Sequence, residues 1–278
     1  MYKKISNIVY AFDAEWVPDP SAGRRVYGLP EEISDEEVLN VMWQEGGATD
    51  EDPTPFLKTI LCRVVSVAAI VRHVRNGETA LKLHSIPNIG EAAVPEGELI
   101  ERFLSGVGKS KAQIVGFNSH NSDIPIMLQR GLANGISVPA YCERPDKPWE
   151  GVDYFARFGD DHIDLRDIVG GFGKSSQTLH ELATVLGIPG KMGTTGDDVL
   201  NLWLAGDIDA IVRYNRFDAL TTYLVWLRTV LFSGKFNKQK YDSEVELVRE
   251  LIQTHIDSGE EYLGDFVAKW DLLSGRGD

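Results

Sequence analysis

Ile8-Val9-Tyr10-Ala11-Phe12-Asp13-Ala14-Glu15 decides how this chain is read. Its first five residues form an unbroken apolar run rich in β-formers, which predicts a buried strand ending near Asp13. Residues two apart on an extended chain face the same side. Asp13 and Glu15 therefore converge at a strand end, where α/β sheets gather their sites. A solvated strand end explains an isolated Asp-x-Glu as well; the apolar approach is what favours a site.

Outward from that strand, residues 17–59 change character. Pro18, Pro20, Gly23, Gly28, Pro30, Gly46, Gly47, Pro53 and Pro55 punctuate an acidic stretch, read as a long irregular insertion, functional or a mere surface flap. A short helix over 35–44, capped by Ser34, is expected inside it. Residues 63–74 and 80–85 read as a hairpin turning at Asn76-Gly77. Helices follow at 96–105, 123–134, 176–186, 197–205, 207–231 and 242–258, with a short strand at 114–118 between the first two. This mixture predicts one α/β domain over 1–232 and a C-terminal helical extension over 233–278.

The 278 residues carry 28 basic and 42 acidic side chains, a net charge of −14, with a pI near 4.9. Such a balance argues against a broad basic face for nucleic acid, but not against acids neutralised by metal ions. Cys62 and Cys142 are too few for a disulfide scaffold or a four-cysteine zinc site. The longest apolar stretches, such as 64–71, fall far short of a membrane span. The N-terminus shows no secretory pattern, so a cytoplasmic location is expected.

Two further segments bring acids toward the first pair. In Phe117-Asn118-Ser119-His120-Asn121-Ser122-Asp123, a strand ends in a polar loop and a carboxylate opens a helix, where negative charge is favoured; a simple cap is the alternative. In Tyr214-Asn215-Arg216-Phe217-Asp218, Tyr214 and Asp218 lie four apart and share a helix face. With Ile211 and Val212 one turn earlier, that face borders the core, so Asp218 needs a partner or a metal. An internal Tyr–Asp hydrogen bond is the plainer possibility.

In this order, Asp13 and Glu15, then Asp123, then Tyr214 ahead of Asp218, the chain resembles the DEDD 3′–5′ exonuclease superfamily. It follows the DEDDy branch; the DEDDh branch would place His where this chain has Arg213. It is most similar to the predicted 3′–5′ exonucleases related to the proofreading domain of family B DNA polymerases. Supporting segments are His162-Ile163-Asp164-Leu165, Leu179-His180-Glu181-Leu182-Ala183, Gly187-Ile188-Pro189-Gly190-Lys191 and Gly196-Asp197-Asp198-Val199. The resemblance spans roughly 5–231. Two departures stand out. Ser122 replaces an aromatic residue before the second-motif Asp, and Asn215, Arg216 and Phe217 replace the usual Cys-Glu-x of the third motif.

The resemblance implies a ribonuclease H-like fold, a mixed sheet flanked by helices, and 3′–5′ exonuclease activity on single-stranded nucleic acid ends, with DNA favoured over RNA and no membrane. It implies two divalent ions, Mg²⁺ or Mn²⁺, on Asp13, Glu15, Asp123 and Asp218, with Tyr214 orienting the attacking water. Asn118 and Lys191 are candidate substrate contacts, and Asp164 is a candidate brace. Lys235, Lys238 and Lys240 with Phe236 and Tyr241 read either as a single-strand track or, more simply, as a solvated linker. Phe12 and Trp16 read as packing residues, and His120, His162 and His180 as core or surface histidines. Alternatives to a DNA exonuclease are an exoribonuclease with the same site and a catalytically idle nucleic-acid-binding module.

Overall fold

β1 (Ile8–Pro18) runs through the two carboxylates instead of stopping at them. The expected end near Asp13 fails because β2 (Cys62–Arg75) pairs antiparallel with β1 along its whole length, from Ile8 opposite His73 to Pro18 opposite Cys62. On the other edge β1 pairs in parallel with β4 (Gln113–Gly116) only at Val9, Tyr10 and Ala11. Asp13 and Glu15 thus lie just beyond the end of the parallel pairing, so they stand past a strand end on that edge alone. A bulge between Glu15 and Trp16 shifts the register immediately after the pair, a device that re-aims side chains.

The structure is a computed structural model that describes residues 1–147, 149–156, 159–170, 177–193 and 196–275. Its sheet has the order β3-β2-β1-β4-β5, with β3 at Glu78–Ile86 and β5 at His162–Asp164. β2 and β3 form an antiparallel hairpin, and β4 and β5 are parallel. The hairpin turns at Asn76-Gly77, both at positive φ, as the sequence predicts. The helices are α1 (Pro20–Tyr27), α2 (Asp35–Glu45), α3 (Glu96–Ser110), α4 (Asp123–Ala133), α5 (Pro139–Cys142), α6 (Leu165–Gly170), α7 (Leu179–Val185), α8 (Val199–Leu204), α9 (Ile208–Phe232), α10 (Lys238–Asp257) and α11 (Leu263–Ser274). This is the α/β class expected, a mixed sheet flanked by helices. Among the described residues no helix is long and apolar enough to cross a membrane.

Strand alternation sorts the core into two layers. Val9 and Ala11 of β1 face α9, packing with Leu220, Leu224 and Trp226. Phe12 and Ala14 face α3 and α4, packing with Leu99, Phe103 and Ile126. α9 is buried almost throughout, which is why its apolar residues show little one-sided periodicity. α10 and α11 join the α9 layer through Val248, Ile252, Phe266 and Trp270. Glu244 of α10 is fully buried and meets Arg72 of β2 at 2.6 Å and the Tyr223 hydroxyl at 2.8 Å.

The 17–59 segment departs from the expectation of a largely irregular insertion. Val17 and Pro18 belong to β1. Asp19 then caps α1, its side chain accepting the Ser21 N–H, with Pro20 at the first helical position. α2 begins behind Ser34 as predicted, and Glu37 completes a capping box with it, the cap being worth about 1 kcal/mol. The two helices close on each other where Gly23 meets Met42; a Cβ at Gly23 would stand 2.4 Å from the Met42 sulfur. The helix predicted from Ser176 starts at Leu179 behind a Thr178 cap; Ser176 itself lies outside the described residues.

Candidate active site

Asp13 and Glu15 point from β1 toward α9, where Tyr214 and Asp218 stand one helical turn apart. Oxygens of Asp13, Glu15 and Asp218 lie within 4.8 Å of one another. Asp123 approaches from the N-terminus of α4, its Oδ1 accepting the Ala14 N–H at 3.1 Å. One strand and two helices thereby place all four carboxylates of the sequence reading, together with Tyr214, around one point at the open edge of β1.

Three features place Asp123 there. Gly116 ends β4, and a Cβ on it would stand 2.5 Å from the Ser119 side chain, so only glycine lets the 117–122 loop fold back. Asp164 at the end of β5 then gathers that loop, accepting the N–H groups of Asn118 at 2.8 Å, His120 at 2.9 Å and Arg166 at 2.9 Å. Finally Ser122, instead of capping α4 with its side chain, donates to the Asn118 carbonyl or to Asp123 Oδ2. Ser122 is thereby within hydrogen-bond reach of the acid beside it, Asp123 Oδ2 at 3.0 Å.

Electrostatics follow from burial and crowding. Burial first, then the charges of Glu15, Asp123 and Asp218, holds the Asp13 carboxyl well above the usual range. Glu15 is raised likewise, by burial and then by Asp218. Burial lifts Asp123 to about 6 and Asp218 to about 7, the latter moderated by the Tyr214 hydroxyl and the Lys191 charge. Tyr214 is raised by burial and by the surrounding carboxylates. Without metal it keeps its proton at neutral pH and its hydroxyl can donate to Asp218. Converging buried carboxylates are costly without a compensating cation. Their hard oxygen donors suit Mg²⁺ or Mn²⁺, so the residues fit a divalent metal centre.

Lys191 is brought to this site and its loop is pinned on three sides. The Lys191 N–H donates to His180 Nδ1 at 3.1 Å, the Thr221 hydroxyl donates to the Pro189 carbonyl at 2.9 Å, and Lys269 holds the Lys191 carbonyl. Asn118 sits in the loop before Asp123, but its amide is engaged there: Oδ1 accepts from Arg166 Nη1 at 2.8 Å, and Nδ2 reaches Ser122 Oγ at 3.4 Å. His162 is buried, held neutral by desolvation and bonded to Ser119. His120 meets Asp167 at 2.9 Å. Each lysine of the 235–240 cluster has a partner. Lys235 bonds the Lys3 carbonyl, Lys238 pairs with Asp242, Lys240 pairs with Glu244 at 3.2 Å, and Phe236 packs on Arg72 and Trp226.

Asn215 and Ser66 were not among the sequence candidates. Asn215 Nδ2 donates to Asp13 Oδ2 at 2.7 Å, and its Oδ1 accepts from Ser66 Oγ at 2.9 Å, both residues being fully buried. A signal existed: Asn215 lies three positions before Asp218 and so shares its face. Ser66, opposite Glu15 on β2, carried no comparable signal.

A family model described as a predicted 3′–5′ exonuclease related to the exonuclease domain of PolB matches residues 54–270, more than three quarters of the chain. The match begins after Asp13 and Glu15, takes in Asp123, Tyr214 and Asp218, and runs on through α10 and most of α11. It therefore extends well past residue 231, where the sequence resemblance stops. No curated relative matches the chain.

Proposed function

The chain belongs to the family of predicted 3′–5′ exonucleases related to the exonuclease domain of PolB, and on that premise we propose that it removes nucleotides from the 3′ ends of single-stranded DNA by metal-dependent phosphodiester hydrolysis. The observation that carries this reading is the convergence of Asp13, Glu15 and Asp218 oxygens within 4.8 Å, with Asp123 and the protonated Tyr214 beside them.

Two Mg²⁺ or Mn²⁺ ions held by Asp13, Glu15, Asp123 and Asp218 would supply the charge that acidifies a water and offsets the developing negative charge on phosphate and leaving oxygen. The chain's own groups do the rest. The Tyr214 hydroxyl, on the same face of α9 as Asp218, holds the attacking water by a hydrogen bond. Lys191, close enough to lower the Asp218 carboxyl, offers positive charge to a phosphate oxygen. Asp164 fixes the loop of Asn118 against the terminal nucleotide. The fit of hard oxygen donors supports Mg²⁺ or Mn²⁺ over softer metals.

The test is digestion of 5′-labelled single-stranded DNA and RNA oligomers with Mg²⁺ or Mn²⁺, beside Asp13→Ala protein. A metal-dependent ladder shortening from the 3′ end is expected. Loss of Asp13 should lower the rate about 1000-fold or more, the equivalent of several kcal/mol at the transition state. A ladder on RNA alone would reassign the substrate. Metal binding without cleavage of either polymer would overturn the enzyme reading in favour of a binding module.

A further inference from the structure

Past Ala11 the β4 side of β1 is open, and the Ala14 N–H donates to Asp123 there. Following β1 from Glu15 to Trp16 and Pro18 leads from the carboxylates into a groove between the 17–59 insertion and α8. Two cavities of about 120 and 570 Å³ make it up, joined through Pro18, Trp43, Thr54 and Leu200. Trp16, which read as a packing residue, lines the near end. Phe56 stands in the wall with 86% of its surface exposed. Farther along, the Arg63 guanidinium lies 5.2 Å from the centroid of the Trp203 ring. Among the described residues Arg63 has no ion-pair partner, and its buried Nε has no hydrogen bond.

With a net charge of −14 and the lysines of 235–240 already partnered, net charge is a weak source of affinity for a polyanion. Affinity for a strand must then come from contacts indifferent to net charge, and stacking of bases on aromatic rings is such a contact. The groove begins at Trp16, the residue after Glu15 on β1, and supplies such rings together with the Arg63 guanidinium, which has no ion-pair partner among the described residues. The acids on the α2 wall are Asp35, already paired with Arg24 at 2.6 Å, and Glu36.

We infer that this groove holds the unpaired nucleotides that precede the 3′-terminal one on the substrate strand, with bases stacked on Phe56 and Trp43 and a phosphate on Arg63. The inference rests on the nuclease reading and deepens it. Trp43 and the rest of α2 precede the stretch matched by the family model, so one wall of the groove is contributed by the insertion.

The experiment compares the full chain with its Phe56→Ala and Arg63→Gln variants. Phe56 is so exposed that its loss leaves the fold intact. Binding of a fluorescein-labelled oligothymidylate is followed by anisotropy in Ca²⁺. Turnover in Mn²⁺ is measured on the same oligomer and on p-nitrophenyl thymidine 5′-phosphate, which has no preceding nucleotides. The expected result is roughly tenfold weaker oligomer binding by Phe56→Ala, a matching rise in oligomer KM and unchanged kcat/KM on the short ester. Arg63→Gln should weaken binding and flatten its salt dependence. Unchanged oligomer affinity in both variants, or equal loss on oligomer and ester, overturns the groove. Wild-type protein that binds the oligomer but cleaves neither substrate overturns the nuclease reading, and the groove is then judged on the binding arm alone. Wild-type protein that does not bind the oligomer overturns the groove.

Discussion

Asp13 is oriented by the Asn215 amide, and the amide by Ser66. Since an ionised carboxylate can only accept, the nitrogen of Asn215 faces Asp13 and the oxygen is left for the Ser66 hydroxyl. The chain thus reads Ser66 to Asn215 to Asp13, with every member buried or half-buried. Outer groups of this kind set ligand direction and typically change metal affinity about 10- to 100-fold. Asn215→Leu should therefore weaken Mn²⁺ binding by that factor, read by titration calorimetry on protein whose melting in EDTA shows it folded. Ser66→Ala, which leaves the amide in place, should weaken it less; equal Mn²⁺ affinity in Asn215→Leu and wild type would deny the positioning role. The departures of the third motif are legible in these terms. Asn215 serves the acid, Arg216 reaches Ser85 at 3.0 Å and Glu260 at 2.7 Å, and Phe217 stacks on Phe266. The motif's spacing was visible in sequence because i and i+4 residues share a helix face. The partners of its intervening residues were not visible, because they come from β2, β3 and the segment after α10, far away along the chain.

The helices α1 and α2 are attached to the site through charge. Arg130 of α4, the helix that Asp123 opens, meets Asp19 at 2.6 Å and Glu96 at 2.7 Å, and Glu96 also accepts the Val64 N–H at 2.8 Å. All three ionic side chains are buried, so removing the cation strands two carboxylates in the interior, a loss of about 3–5 kcal/mol. Arg130→Met should lower stability by that amount, seen as a lower urea midpoint at unchanged slope. It should also loosen the insertion, seen as faster amide exchange in α1 and α2 than in α9. A midpoint within error of wild type would show that these ions are solvated rather than paired. Sequence alone gave α2, whose Ser34 and Glu37 form a local capping box. It missed α1, whose Asp19–Pro20 start was hidden among breakers and whose burial depends on Met42. It also missed β5 and α11. The first is three residues long and exists only because β4 lies beside it, and the second is held against α9 and α10 by Phe266 and Trp270. Local signals were readable, whereas elements made by tertiary neighbours were not.

Across the whole chain an excess of acid meets a site built from acids, and the two together set how stability responds to pH and metal. Asp123 is held at about 6 and Asp218 at about 7, against an unfolded value of about 4. Between about pH 4 and pH 7 the folded chain therefore keeps protons that the unfolded chain has released. Stability rises with pH only where the unfolded state binds more protons; here it binds fewer, so these groups lower stability as pH rises through that window. Asp13 and Glu15, raised by burial and by their neighbours, act in the same direction. Glu244 acts in the opposite one, its carboxyl lowered because Arg72 and Tyr223 outweigh its burial; its contribution is lost at low pH. Melting of the metal-free protein should accordingly fall from about pH 5 to about pH 8, and Asp218→Asn, which removes one of the retained protons, should flatten the fall. Mn²⁺ or Mg²⁺ binds the deprotonated carboxylates, so it should raise the melting temperature at about pH 8 far more than at about pH 5, by the equivalent of about 2.7 kcal/mol at a hundred times the dissociation constant. Melting curves in EDTA and in Mn²⁺ at the two pH values, for wild type and Asp218→Asn, decide the matter. Parallel pH slopes in the two metal-free proteins, or a metal shift equal at both pH values, would mean that the carboxylates do not crowd one another as their burial requires.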